Sequence, residues 1–272
     1  MPWGCGTGPR GPNLAVVNIA APRILILRTG HTDPTIRARH GDDDEWFTAA
    51  MEDLGCRFTL RHVPLDGMGS LAGFDGVLVT GTAAAVRDRA GWMRPLTAFL
   101  GERTEGGSPV LAVCFGAQLA ADALGGIVER NPRGWEIGTV EVKLTAGGLE
   151  DPLFHGLPER LSVQATHEDH VAELPADVIR LAGNSTAAVQ AFAWGRRLRA
   201  LQFHPEVDAA TISSLVRLRR AVLEADARRQ GALDAVTARA AVSAILTGIR
   251  ASGHGRAILA NWVNFFVRRT QA

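Results

Sequence analysis

The chain has 272 residues, of which 46% are hydrophobic, and a formal net charge of +1. That balance describes an ordinary globular protein and excludes the basic excess that nucleic acid or a charged membrane surface would require, while no apolar run is long enough to span a bilayer. Cys5, Cys56 and Cys114 lack the spacing of a disulfide framework and the opening MPWGCGTGPRGPNLAVV lacks the form of a secretory signal, so free thiols and a cytoplasmic location are expected.

Length alone admits one domain or two, and the pattern along the chain favours one with ragged ends. Residues 1–22 are rich in Gly and Pro, show no periodicity and read as a flexible extension. From Arg23 short β-rich runs alternate with helical ones: RILILR, DEWFTAAMEDLG, FTLRHV, DGVLVTG, GWMRPLTAFLGE, PVLAVC and GAQLAADALGG. This order predicts a parallel sheet with crossover helices, and the nearly all-apolar DGVLVTG and PVLAVC read as central strands buried on both faces. In DEWFTAAMEDLG, Trp46, Phe47, Ala50, Met51 and Leu54 recur at helical spacing and Gly55 supplies a stop. The acidic lead Asp42 to Glu45 invites a metal reading, but acids at a helix start serve as caps and dipole partners, and that reading is preferred.

After Asn131 come TVEVKLT, LSVQATH, VIRLAG, AVQAFAWG and RALQFH, strands without long helices between them, some of which must pair antiparallel. Beyond Glu206, ISSLVRLRRAVLEADARR and RAILANWVNFFVRR are helical. Glu224 and Asp226 among the arginines indicate a solvated amphipathic surface rather than an RNA-binding tail, and Trp262, Phe265 and Phe266 read as intramolecular core. The expected architecture is α/β, a central mostly parallel sheet flanked by helices over residues 23–207, with a helical C-terminal extension, 208–272, packed on it.

The segment VLAVCFGAQLAADALGG sets Cys114 where a buried strand turns directly into a helix, between small residues Ala112 and Gly116, the sequence form of a nucleophile elbow. A helix N-terminus favours the thiolate, and the amide of Phe115 is free to bind an oxyanion. A buried structural cysteine would look the same in isolation. The second motif, RALQFHPEV, changes the balance: if the strand continues through it, His204 and Glu206 point to one side and can act as a base and its orienting carboxylate.

CFGAQ and QFHPE, in this order and on these elements, closely resemble the class I glutamine amidotransferases, from about Arg23 to Glu206. The resemblance implies that family's flavodoxin-like fold and a Cys-His-Glu triad at Cys114, His204 and Glu206. It implies that Gly81 and Thr82 in VTGTAAAV belong to the oxyanion strand, the Thr82 amide complementing that of Phe115. Gln118 resembles the family's glutamine-contacting residue. ATHEDHV resembles the loop that holds the α-amino and α-carboxylate groups, implicating Thr166, His167, Glu168 and Asp169, and NPRGWEIG resembles a segment of stand-alone members, which would put Trp135 and Glu136 at the mouth. Ala112 and Ala117 replace the family's usual Gly and His, and TGTA replaces the Gly-Gly-Pro of synthase-linked relatives. His155, His167, His170 and His204 could be assembled into a metal site, but lack a ligand spacing, so neither metal nor organic cofactor is expected. His31, His40, His62 and His254 read as surface or satisfied core residues.

The implied activity is hydrolysis of a γ-glutamyl amide through a cysteine thioester, on a small-molecule substrate, with ammonia passed to a separate synthase subunit. The alternatives are an independent γ-glutamyl peptidase acting on glutathione-like compounds and a non-catalytic binding module.

Overall fold

The computed structural model describes residues 20–102, 107–231 and 234–268. Cys5 and nearly all of the expected N-terminal extension lie outside the described residues. The first half alternates strand and helix: β1 (Arg23–Arg28), α1 (Pro34–His40), α2 (Asp43–Ala50), β2 (Arg57–His62), α3 (Val63–Asp66), β3 (Gly76–Val79), α4 (Met93–Gly101), β4 (Val110–Val113) and α5 (Phe115–Ala123). Then follow β5 (Ile127–Arg130), β6 (Glu136–Leu144), α6 (Ala146–Glu150), β7 (Arg160–His167), β8 (Asp169–Glu173), β9 (Ile179–Gly183), β10 (Ala191–Trp194) and β11 (Leu198–Leu201). The chain ends in α7 (Ala209–Leu218), α8 (Arg220–Arg229), α9 (Ala235–Gly248) and α10 (His254–Trp262), the last running on into a π-helical turn, Val263–Val267.

One nine-stranded sheet, in the order β2-β1-β3-β4-β11-β10-β9-β6-β7, carries the fold. Its first five strands pair in parallel and the rest antiparallel, so the central strands are parallel and the sheet is mixed. The apolar runs account for this: every residue of β3 and β4 is buried, as a parallel strand covered on both faces requires. One face of the sheet packs Ile24, Ile26, Leu78 and Leu111 against α2 and α10; the other packs Leu25, Val77, Val79 and Val110 against α4 and α5. A third cluster, with Trp46, Ile137, Ile212 and Val242, lies under α7 and α9.

Asp42 caps α2 in a reciprocal box with Glu45 and also accepts from the Thr32 amide at 2.9 Å, so the acidic lead is a cap, as read from sequence. Gly55 ends the following turn at φ +63°. Trp262 is fully buried, whereas Phe266 is half-buried against the same cluster and Phe265 meets His155 edge-on at 5.1 Å. The short sheet of β5 with β8, and helices α1 and α9, were not anticipated. Among the described residues, no helix is long and apolar enough to cross a membrane.

Candidate active site

β4 ends at Val113 and α5 begins at Phe115, so Cys114 alone makes the turn between them. It does so at φ +52° and ψ −105°, a left-handed setting that costs a non-glycine residue about 1–3 kcal/mol. Its amide donates to the Leu201 carbonyl at 2.7 Å and its own carbonyl accepts from the Gln118 amide at 2.9 Å, so sheet pairing and the first helical turn together hold the strain. At Gly116 a Cβ would lie 2.8 Å from the Val79 carbonyl oxygen, which leaves room for glycine only. Ala112, fully buried in register with Val79 and Ala200, and Ala117, buried behind the elbow, are absorbed by packing.

The expected continuation of the strand through His204 and Glu206 does not occur. β11 ends at Leu201; His204 makes one isolated antiparallel bridge to Gln164 of β7, and Pro205 and Glu206 turn away. The pair meets nonetheless: His204 Nδ1 and Glu206 Oε1 are 2.6 Å apart, and the His204 amide donates to the Gln164 carbonyl at 2.8 Å. Nε2 is buried without a hydrogen-bond partner, and so is Glu206 Oε2. Burial alone would lower the imidazole pKa, but the charges of Glu206 and Cys114 outweigh it and hold His204 well above its usual range.

Gly81 joins these groups. A Cβ there would lie 3.1 Å from His204 Cε1 and 3.3 Å from Cys114 Cβ, so the backbone before Thr82 abuts base and thiol together. The buried Thr29 hydroxyl, donating to the Gly81 carbonyl at 3.0 Å, fixes that segment, and the Thr82 side chain rests against Gly30. Gln118 is buried and donates to the Asp169 carbonyl at 2.9 Å and to Gln202 Oε1 at 3.2 Å; Gln202 Nε2 lies 3.8 Å from Cys114 Sγ. Gln118 thus reaches the thiol's surroundings through Gln202.

The remaining expected ligand residues divide into two groups. Thr166 accepts from Arg219 Nη1 at 2.8 Å, and the Arg219 guanidinium lies 5.4 Å from the centre of the Trp135 ring, so Thr166 and Trp135 share a wall. Glu136 is 5% exposed, and its carboxylate accepts from Asn184 at 2.6 Å, Gln190 at 2.5 Å and His167 Nε2 at 3.0 Å. Burial alone would raise its pKa, but these bonds, His167 foremost, hold it below the usual carboxylate range. His167, whose other nitrogen faces the Asp169 carbonyl at 3.0 Å, belongs to the same buried network. Glu168 is tied to Arg130 at 3.1 Å, and Asp169 to Arg87. Among the described residues no group of three or more such side chains converges in metal-binding geometry.

Sequence reasoning missed Asp43, Gln202 and Arg219. Asp43 stood within the acidic lead; burial first, and then the charge of Glu206, push its carboxyl up to about 8. Gln202 lay inside the QFHPE motif, and Arg219 was hidden among the arginines of VRLRRAVLEADARR. His31, His40 and His254 have partners, in Asp42, Ser214 and the Ser162 amide. His62 is a correction: it is buried and stacked on His31 at 4.6 Å, with neither ring nitrogen hydrogen-bonded.

Over 102 residues the chain is 40% identical to one of the subunits of the glutamine-hydrolysing GMP synthase of Methanoculleus marisnigri, covering 37% of this chain and 53% of the relative. It is 43% identical over 99 residues to the glutamine-hydrolysing GMP synthase of Thermotoga petrophila, covering 36% of this chain and 19% of that protein. The chain thus spans about half the length of the first relative and a fifth of the second. A glutamine amidotransferase crystal structure from Thermotoga maritima superposes over 90% of this chain and 98% of its own, with a TM-score of 0.63 at 20% identity, and so shares the fold. The family model for glutamine amidotransferase class-I matches residues 44–217, and the chain belongs to that family.

Proposed function

We propose that this chain hydrolyses the γ-amide of glutamine through a thioester on Cys114 and passes the ammonia to a separate synthase subunit. The observation that carries the reading is the strained left-handed Cys114, set beside a buried imidazole that Glu206 orients at 2.6 Å, with Gly81 in contact with both. In the proposed sequence the Cys114 thiolate attacks the γ-carbonyl carbon, and the Phe115 and Thr82 amides take up the charge on the carbonyl oxygen. His204 protonates the amide nitrogen, the C–N bond breaks and ammonia leaves. The same imidazole then removes a proton from water, whose oxygen displaces the sulfur and releases glutamate. Thr166 and Asp169 border the amino-acid end of the substrate, while Glu136, His167 and Glu168 support that wall. Residues 23–207 form the hydrolytic unit, and the helices α7 to α10 are an extension packed on it.

The Methanoculleus relative is named as one part of a synthase built from more than one chain, which supports delivery of ammonia to a partner. The test is release of ammonia and glutamate from glutamine by the purified chain, with and without a GMP synthase partner, and from glutathione in parallel. Cys114→Ala is expected to abolish release. Preference for glutathione would replace the amidotransferase reading with a γ-glutamyl peptidase, and no release from either substrate under any condition would overturn both.

A further inference from the structure

Arg219 lies just beyond the stretch that the family model matches, at the junction of α7 and α8. Its guanidinium turns inward, held flat by the Trp135 ring at 5.4 Å and by one hydrogen bond, 2.8 Å to Thr166 Oγ1. Arg220 pairs with Glu224 and Arg229 with Asp226, each at 2.8 Å, while Arg217 and Arg228, which have no carboxylate at ion-pair distance among the described residues, are exposed to solvent. Among the described residues Arg219 has no carboxylate at ion-pair distance; Asp33, Asp43 and Cys114 act on it only through space. Burial draws its pKa down from the usual guanidinium range and those three charges oppose the fall. A partly buried cation with most of its N–H fork free of protein partners can be completed by an anion.

The placement indicates which anion. Thr166 lies two positions along β7 from Gln164, whose carbonyl holds the His204 amide, so the guanidinium shares a wall with the base and feels the charge on Cys114. We propose that Arg219 receives the free carboxylate of the γ-glutamyl substrate and selects substrates that carry that charge over analogues in which it is amidated. This inference rests on the reading of Cys114 as the nucleophile. Trp135 and Thr166 orient the fork, and arginine suits a planar two-oxygen group in a way that lysine does not.

The experiment measures alkylation of Cys114, by mass spectrometry, with a glutamine-shaped chloromethyl ketone, with its α-carboxamide counterpart and with iodoacetamide. Wild type is compared with Arg219→Met, which keeps an apolar stem against Trp135, and with Arg219→Lys, which keeps the charge. Loss of a charge-assisted hydrogen-bonded pair corresponds to roughly a tenfold to hundredfold slowing. That slowing is expected for the carboxylate reagent in Arg219→Met, with the carboxamide and iodoacetamide rates within about threefold of wild type and a smaller defect in Arg219→Lys. In parallel, KM for glutamine should rise more than kcat falls. Equal slowing with all three reagents, or no change with any, would overturn the role of Arg219 while leaving Cys114 as nucleophile. A wild-type Cys114 inert to every reagent would instead defeat the nucleophile reading and this inference with it.

Discussion

Asp43 holds its proton to an unusually high pH. Burial is the larger cause, the charge of Glu206 adds to it, Asp42 and Asp44 add less, and His204 opposes them, leaving the group at about 8 against 3.8 unperturbed. A folded-state pKa above the unfolded one means that the native state holds the proton more tightly. The associated stability is fully present below the unfolded value and is lost as pH rises through about 8. Wild type should therefore lose thermal stability between pH ~6 and pH ~9, and Asp43→Asn, which cannot ionise, should lose less; equal losses in parallel melting curves across that range would refute the assignment. At this scale Cys114, His204 and Glu206 were legible as candidates because each sits in a short motif with its own chemistry. Glu136 and His167 were read as ligand-facing because sequence neighbours look alike, and only the fold shows Asn184 and Gln190 converging on the Glu136 carboxylate. The unpaired cation of Arg219 was invisible for the opposite reason, since charge pairing is decided by which residues meet in space.

The unit formed by β4, Cys114 and α5 is set by two features that packing enforces: a left-handed residue at the turn and the absence of a side chain two residues later. Gly116→Ala places a methyl 2.8 Å from the Val79 carbonyl, backbone that cannot move without shifting β3. The expected cost is about 1–3 kcal/mol of stability together with loss of Cys114 labelling, as the elbow relaxes. Urea unfolding within about 0.5 kcal/mol of wild type and undiminished labelling would show that the close approach is unimportant. Elements of this kind were readable because an apolar run, a small-residue turn and a helical run are local signals. β5 with β8 and helix α9 were not, since the strand IVER is mostly exposed and α9 buries only Ala238 and Val242 fully, so neither carries a strong periodic signature. His204 and Glu206 show the same limit: their spacing suggested a strand, and a bridge followed by a turn achieved the pairing.

Across the whole molecule, the C-terminal helix belongs to the same core as the first strands. Ile258, Leu259, Trp262, Val263 and Val267 join Ile24, Ile26 and Leu78 in one buried cluster, and a Cβ on Gly76 would lie 2.9 Å from Val267 and 3.1 Å from Trp262. Trp262→Ala should cost about 3–5 kcal/mol, seen as a large fall in the denaturation midpoint; a loss under about 1 kcal/mol would mean that the helix docks only loosely. The mixed sheet was foreseeable from strand composition, but the strand order was not, because it depends on pairings distant in sequence. The contact of Gly255 with the Pro205 carbonyl, where a Cβ would lie only 2.3 Å from the oxygen, gives that helix a second consequence. Pro205 stands between His204 and Glu206, so the turn that carries both touches chain synthesised well after them. On the ribosome, Cys114, His204 and Glu206 all emerge before the helix that touches Pro205. A nascent chain therefore carries the Cys114 thiol before the turn that bears His204 and Glu206 has this helix to pack against.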